Sequence, residues 1–128
     1  MILDTSAIIA ILLEEPEIDR LLERVEQASL VAVGTPTLVE AGLVLGRRLD
    51  TDPRALLARL VQEFSIRVLP FAEHHWLEAV GAYRRFGKGR HPAALNFGDC
   101  LSYAVAKAAR QPLLCTGDDF RQTDLEIA

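Results

Sequence analysis

The sequence predicts an α/β fold, a three-layer sandwich whose central sheet is mostly parallel and has four to five strands. Short apolar runs of three or four residues alternate with longer segments whose apolar residues recur at helical spacing. Strands separated by helices run parallel through right-handed crossovers, so their carboxyl ends share one edge of the sheet. Several of these runs also end beside an acid, and the working residues of open α/β sheets lie outside the carboxyl ends of the strands.

The 128 residues suit a single domain, 1–128, large enough to bury roughly two-thirds of its unfolded surface. At 50% hydrophobic and 25% charged residues, the chain has the composition of an ordinary soluble globule. No apolar run reaches the roughly 18–20 residues that span a bilayer, and no basic segment precedes the first apolar run as in a secretory signal. A cytoplasmic location with no membrane partner is therefore expected. Cys100 and Cys115 are isolated in apolar surroundings, which suits reduced core thiols better than a disulfide or zinc framework. The net charge of -4 argues against holding nucleic acid by bulk electrostatics, although acids gathered round a divalent cation lose much of that effect.

Met1-Ile2-Leu3 reads as a buried first strand, with Asp4 at its end and a helix over Ala7 to Leu13. Asp4 or Thr5 as a helix cap is the plain alternative to chemistry. Glu17 to Gln27 is an amphipathic surface helix: Ile18, Leu21, Leu22 and Val25 form its stripe, and Asp19, Arg20, Glu23, Arg24 and Glu26 turn mostly to water. Leu30 to Val33 is the second strand, closed by Gly34, and Thr35-Pro36 starts a helix that runs to about Leu49. Glu40 lies one turn into it, a lone acid among Leu38, Val39, Ala41 and Leu43, facing either outward or into a site.

Asp52-Pro53 repeats the cap-then-proline device before a helix with Leu56, Leu57, Leu60, Val61 and Phe64 on its apolar face. Ile66 to Leu69 is the third strand. The helix from Glu73 to Phe86 carries Trp76, Leu77, Val80 and Tyr83 as an expected core stripe, with His74 and His75 expected at the surface. Arg84, Arg85, Lys88, Arg90 and His91 then cluster around Gly87 and Gly89, with no acid between Ala79 and Gly98. Such a cluster is usually solvated charge, yet it leads straight to Asp99, and cleavage of a nucleic acid needs a phosphate-gripping loop beside an acidic centre. Asp99 opens a helix with Leu101, Ala104, Val105 and Ala108 on its expected buried face, a position the helix dipole also favours for an acid. Leu113 to Cys115 is the fourth strand, followed by Thr116-Gly117-Asp118-Asp119-Phe120, and Leu125 to Ile127 is a candidate edge strand.

A common carboxyl edge brings Asp4, Glu40, Asp99 and either Asp118 or Asp119 together. Carboxylates gathered without matching bases repel one another unless they hold a hard cation, and Mg²⁺ or Mn²⁺ is the natural occupant, completed by water and substrate phosphate. The bound metal makes water a competent nucleophile toward phosphorus.

The opening Met1-Ile2-Leu3-Asp4-Thr5-Ser6-Ala7, Glu40 in the second βα unit, Gly87-Lys88-Gly89-Arg90-His91-Pro92 running into Leu95-Asn96-Phe97-Gly98-Asp99-Cys100, and Gly117-Asp118-Asp119-Phe120 resemble the PIN-domain ribonucleases. Within them the chain most resembles the VapC toxins of toxin-antitoxin pairs, over essentially its whole length. The resemblance implies a metal-dependent endoribonuclease with a PIN-like fold. It implies that Asp4 and Asp99 bind the metal most directly, that Glu40 completes the cluster, and that Asp118 is the fourth acid with Asp119 as the competing assignment. Thr5, Ser6 and Thr116 are candidates to support the acids through their hydroxyls, by adjacency. Glu40 or Asp118 is the candidate general base, and Arg84, Arg85, Lys88, Arg90 and His91 are candidates to hold the RNA backbone. RNA as substrate, a homodimer and a VapB-like antitoxin partner follow from the resemblance alone. The antitoxin's tail is expected in a groove walled by Glu17 to Gln27 and Thr37 to Leu49, with a basic residue in the acidic pocket.

Three rival functions fit less well. A haloacid-dehalogenase-like phosphatase needs a second aspartate where Ser6 stands, and a response-regulator receiver domain needs an aspartate after the third strand, where Leu69-Pro70 stands. A catalytically inactive PIN-like RNA- or protein-binding module remains as the non-enzymatic alternative, against which the full set of acids counts.

Overall fold

In the computed structural model, which describes residues 1–128, four short strands pair in the order β3-β2-β1-β4, all parallel. They are β1 (Ile2–Leu3), β2 (Ala32–Gly34), β3 (Arg67–Leu69) and β4 (Leu113–Leu114). Leu3 stands opposite Val33 on one side and Leu114 on the other, so the central strands end level with one another. The chain steps outward from β1 to β3, then crosses back to lay β4 along the free side of β1. The crevice beyond β1 and β4 therefore lies at the reversal of strand order, where open α/β sheets place their sites.

Six helices cover the sheet: α1 (Thr5–Leu12), α2 (Ile18–Gln27), α3 (Thr35–Leu49), α4 (Arg54–Glu63), α5 (Glu73–Phe86) and α6 (Phe97–Ala109). Alternation along the strands sorts the core into two halves. Leu3, Val33 and Leu114 face the side packed by Ala7, Ile8, Leu21, Ala41, Leu45, Leu57 and Leu60, which come from α1 to α4. Ile2, Ala32 and Leu113 face the other side, packed by Ala79, Ala82, Phe86, Tyr103, Ala104 and Val105 from α5 and α6. This is the expected three-layer sandwich. The sheet has four strands, because the Leu125 to Ile127 segment makes only a single parallel bridge between Ile127 and Leu113.

The face of α5 is a correction to the sequence reading. Trp76, Leu77, Val80 and Tyr83, expected in the core, are 53%, 60%, 52% and 41% exposed, and the buried face is His75, Ala79, Ala82 and Phe86. Small alanines let α5 approach α6 closely, and the bulky stripe is left outside. His75, expected at the surface, is buried: its Nδ1 accepts the Ala72 N–H at 2.8 Å and its ring lies against Phe71. His74 is exposed as expected. Helix α6 is buried more widely than a single stripe, from Ser102 through Ala106, and Ala108 is exposed.

Candidate active site

The end of β1, the second turn of α3 and the start of α6 each bring one acid to the same cleft. Asp4 follows β1 directly and caps α1. Its Oδ2 accepts both the backbone N–H of Ser6, at 3.0 Å, and the Ser6 hydroxyl, at 2.6 Å, which leaves Oδ1 without a protein donor. Only 4% of Asp4 is exposed. Thr116, just beyond β4, fixes Ser6 in turn by donating its backbone N–H to the Ser6 Oγ at 3.1 Å. The ends of β1 and β4 are thus tied through one hydroxyl.

Asp99 is held by the start of α6. Asn96 is the cap residue: its Oδ1 accepts the Asp99 N–H at 2.9 Å, and Asp99 Oδ2 accepts the Asn96 N–H at 2.9 Å. This reciprocal capping box fixes the carboxylate in one direction. Asp4 and Asp99 each take part in a helix cap and also line one cleft, so capping and a place in the cleft do not exclude one another. Capping is what aims them.

Glu40 reaches the same place from α3. Its Oε2 accepts the Thr5 hydroxyl at 2.6 Å, and its carboxylate lies over the α-carbon of Gly98, where any side chain would overlap it. Glu40 therefore turns inward. Burial pushes the Asp99 carboxyl up to about 6; the Asn96 N–H opposes the shift, while the charges of Asp4, Glu40 and Asp119 add to it. Of the two acids after β4, Asp119 is the one whose charge adds to that on Asp99, and neither it nor Asp118 lines the cleft shared by Asp4, Glu40 and Asp99. Asp118 is 86% exposed at its side chain and pairs with Arg121 at 3.3 Å.

Asp4, Glu40 and Asp99 line one cleft of about 300 Å³, together with Thr5, Ser6 and Thr116. Two residues without a predicted role, Glu15 and Arg48, also line it, and no residue of α2 does. Of the two walls expected for a groove, only the α3 wall borders this cleft. Thr5 and Ser6 present hydroxyls to the acids as expected, whereas Thr116 contributes its backbone N–H. Arg20, expected in water, instead donates to the Cys115 carbonyl at 3.0 Å and anchors the end of β4. Asn96, Gly98, Glu15, Arg48 and Arg20 went unrecognised in the sequence. Only the Asn96-x-x-Asp99 spacing carried a readable signal, that of a capping box.

The basic segment divides by contact. Arg85 lies over the Phe86 ring and pairs with Asp124 at 3.2 Å, and His91 Nδ1 accepts the Ala93 N–H while its ring packs edge-on against Phe86. Both are tied into the fold. Arg84 and Lys88 line an open, mostly apolar groove of about 570 Å³ with Val80, Tyr83, Asn96 and Phe97, and Arg90 is exposed beside the Tyr83 ring.

No three His, Cys, Asp or Glu side chains form a ready metal cage. Mg²⁺ does not need one: it is usually bound through one or two carboxylates and keeps several waters. The donors here are all oxygen, they crowd like charges into one cleft, and Asp99 is raised by burial first and then by its acidic neighbours. These residues fit a hard divalent cation.

Residues 1–125 match the PIN domain family. The chain is 42% identical to Ribonuclease VapC36 of Mycobacterium tuberculosis, over 99% of this chain and 92% of that protein. Among solved structures, M. tuberculosis VapC20, described as a toxin cleaving the sarcin-ricin loop, superimposes with a TM-score of 0.79 at 18% identity, covering 99% of this chain and 97% of that one. A toxin-antitoxin complex from Klebsiella pneumoniae gives a TM-score of 0.72 at 16% identity over 99% and 95% of the two chains.

Proposed function

The chain belongs to the PIN-domain family and, within it, to the VapC ribonucleases, and on that footing we propose that it is a Mg²⁺- or Mn²⁺-dependent endoribonuclease toxin that hydrolyses RNA phosphodiester bonds. The observation that carries this reading is the convergence of Asp4, Glu40 and Asp99 on one cleft. No specific contact favours an inactive binding module.

Asp4 and Asp99 are the residues that would hold the cation, because each is aimed by a cap and keeps an oxygen free of protein donors. Bound there, a divalent ion supplies charge stabilisation for a phosphate under attack and a more acidic water. Ser6 and Asn96 keep these two carboxylates from swinging away when the ion is absent. Glu40, steadied by Thr5, is placed to accept a proton from the attacking water, and Asp119 completes the acidic field in preference to Asp118, which pairs with Arg121. Arg84, Lys88 and Arg90 are the cations left outward to track the RNA backbone, and Asn96, which caps Asp99, lines the groove of Arg84 and Lys88.

The protein acts where its RNA is, in the cytoplasm, and no helix is long and apolar enough to cross a membrane. A second copy of the chain pairs with it through the exposed Trp76 and Leu77 of α5, which do not line the groove of Arg84 and Lys88, and a VapB-like antitoxin restrains the enzyme by placing a basic residue among the acids. Removing the antitoxin should raise RNA cleavage, and no gain would count against that restraint. The central test compares wild type with Asp99→Asn for Mg²⁺-dependent cleavage of total cellular RNA. Wild type should cut and the variant should not; equal activity or equal silence overturns the reading.

A further inference from the structure

The acidic cleft contains one cation. Arg48 lines it together with four carboxylates, those of Asp4, Glu15, Glu40 and Asp99. Arg48 lies eight residues beyond Glu40 on α3, with Val44 between, and this i, i+4, i+8 spacing places all three along one face of the helix. At 1.5 Å rise per residue the backbone separation of Glu40 and Arg48 is about 12 Å. Arg47, next to it, lines a separate groove and donates to the Leu43 carbonyl.

Arg48 is held by Glu15, with Nη1 to Oε1 at 2.9 Å, and the two side chains are 54% and 37% exposed. A simple reading is a surface ion pair at the end of α3, where the helix dipole favours a cation. Such a pair contributes roughly 0–1 kcal/mol, so little holds the guanidinium in this partnership. A cleft with four carboxylates to one guanidinium repels the polyanion it has to admit, and a planar guanidinium matches a phosphate with two parallel hydrogen bonds.

We propose, resting on the ribonuclease reading, that Arg48 is a substrate-positioning residue that takes an RNA phosphate neighbouring the one under attack, and that Glu15 holds it until RNA arrives. Its distance from Glu40 sets it apart from the reacting phosphate. The Arg84 to Arg90 segment, beside the start of α6, and Arg48, two turns along α3 from Glu40, then give the strand contacts away from the acids in two places.

The test measures binding of a labelled single-stranded RNA to Asp99→Asn protein in Mg²⁺ across a salt series, with Arg48→Gln, Arg48→Lys or Glu15→Gln added. Arg59→Gln and Glu63→Gln, which make the same charge changes in an exposed pair on α4, are the controls. Arg48→Gln should weaken binding about tenfold and lower the salt slope by about 0.7, the loss of one phosphate contact on a single strand. Arg48→Lys should restore the slope and only part of the affinity, and Glu15→Gln should tighten binding. In otherwise wild-type enzyme, Arg48→Gln should raise KM with little change in kcat. An Arg48→Gln affinity no different from that of Arg59→Gln overturns the proposal, as does Glu15→Gln weakening binding. Should Arg48→Gln fail to fold, Arg48→Lys and Glu15→Gln decide alone. Wild type that cuts RNA with an indifferent Arg48 defeats this inference only, whereas wild type that cuts nothing defeats the ribonuclease reading beneath it.

Discussion

The carboxylate of Glu40 rests on the bare α-carbon of Gly98, and this contact keeps a helix α3 acid beside the helix α6 acid one residue further on. A methyl group at position 98 would occupy the space of both Glu40 oxygens. Gly98→Ala should therefore expel Glu40 from its hydrogen bond with Thr5 and reduce RNA cleavage by at least about tenfold. Alanine favours a helix by about 1 kcal/mol over glycine, so the melting temperature should hold or rise. Cleavage assays and thermal melts on one preparation check both. A variant with full activity would mean that Glu40 has no place in the chemistry.

Asp99 makes stability depend on pH in a definite direction. Its folded carboxyl sits at about 6, raised chiefly by burial, against an ordinary value of 3.8, so between these values the folded protein binds more protons than the unfolded chain. Stability from this group is lost as pH rises through that window. Metal-free Asp99→Asn should thus be more stable than wild type at pH 8, by about 1–2 kcal/mol once the shift is discounted for partial exposure, and the difference should vanish near pH 4. Mg²⁺ should raise the wild-type melting temperature more than that of the variant. Denaturation across pH, with and without Mg²⁺, reads both effects.

The two adjacent acids after β4 should separate in function. Asp119→Asn should lower cleavage about tenfold, because its charge belongs to the field around Asp99. Asp118→Asn should change cleavage by less than about twofold, since it removes only an exposed ion pair with Arg121. The reverse pattern in single-turnover assays would reassign the fourth acid to Asp118.

The outward stripe of α5 should govern association. Leu77→Glu places a charge beside Trp76, outside the groove of Arg84 and Lys88, and should convert a dimer to a monomer with its helical content intact, measured by sedimentation equilibrium and circular dichroism. A wild-type protein that sediments as a monomer at micromolar concentration would remove the proposed dimer.

Much of the fold was legible from local pattern. Short apolar runs between amphipathic segments imply parallel strands, and parallel strands imply one edge where Asp4 and the start of α6 must lie. The cap at Asp4 was legible too, because a cap acts within one turn of its own helix, and the spacing of Asn96 and Asp99 bears the same kind of mark although it went unread. Tertiary structure decided the rest. Apolar periodicity in α5 told of a stripe, yet the alanine face went inward because close approach to α6 rewards small residues, a property of the pair and of neither helix alone. Glu40 turns inward because Gly98, 58 positions away, leaves room for it. Asp118 pairs with Arg121 while the charge of Asp119 adds to that on Asp99, a difference set by the turn, and two residues with the same charge at adjacent positions carry no pattern that separates them.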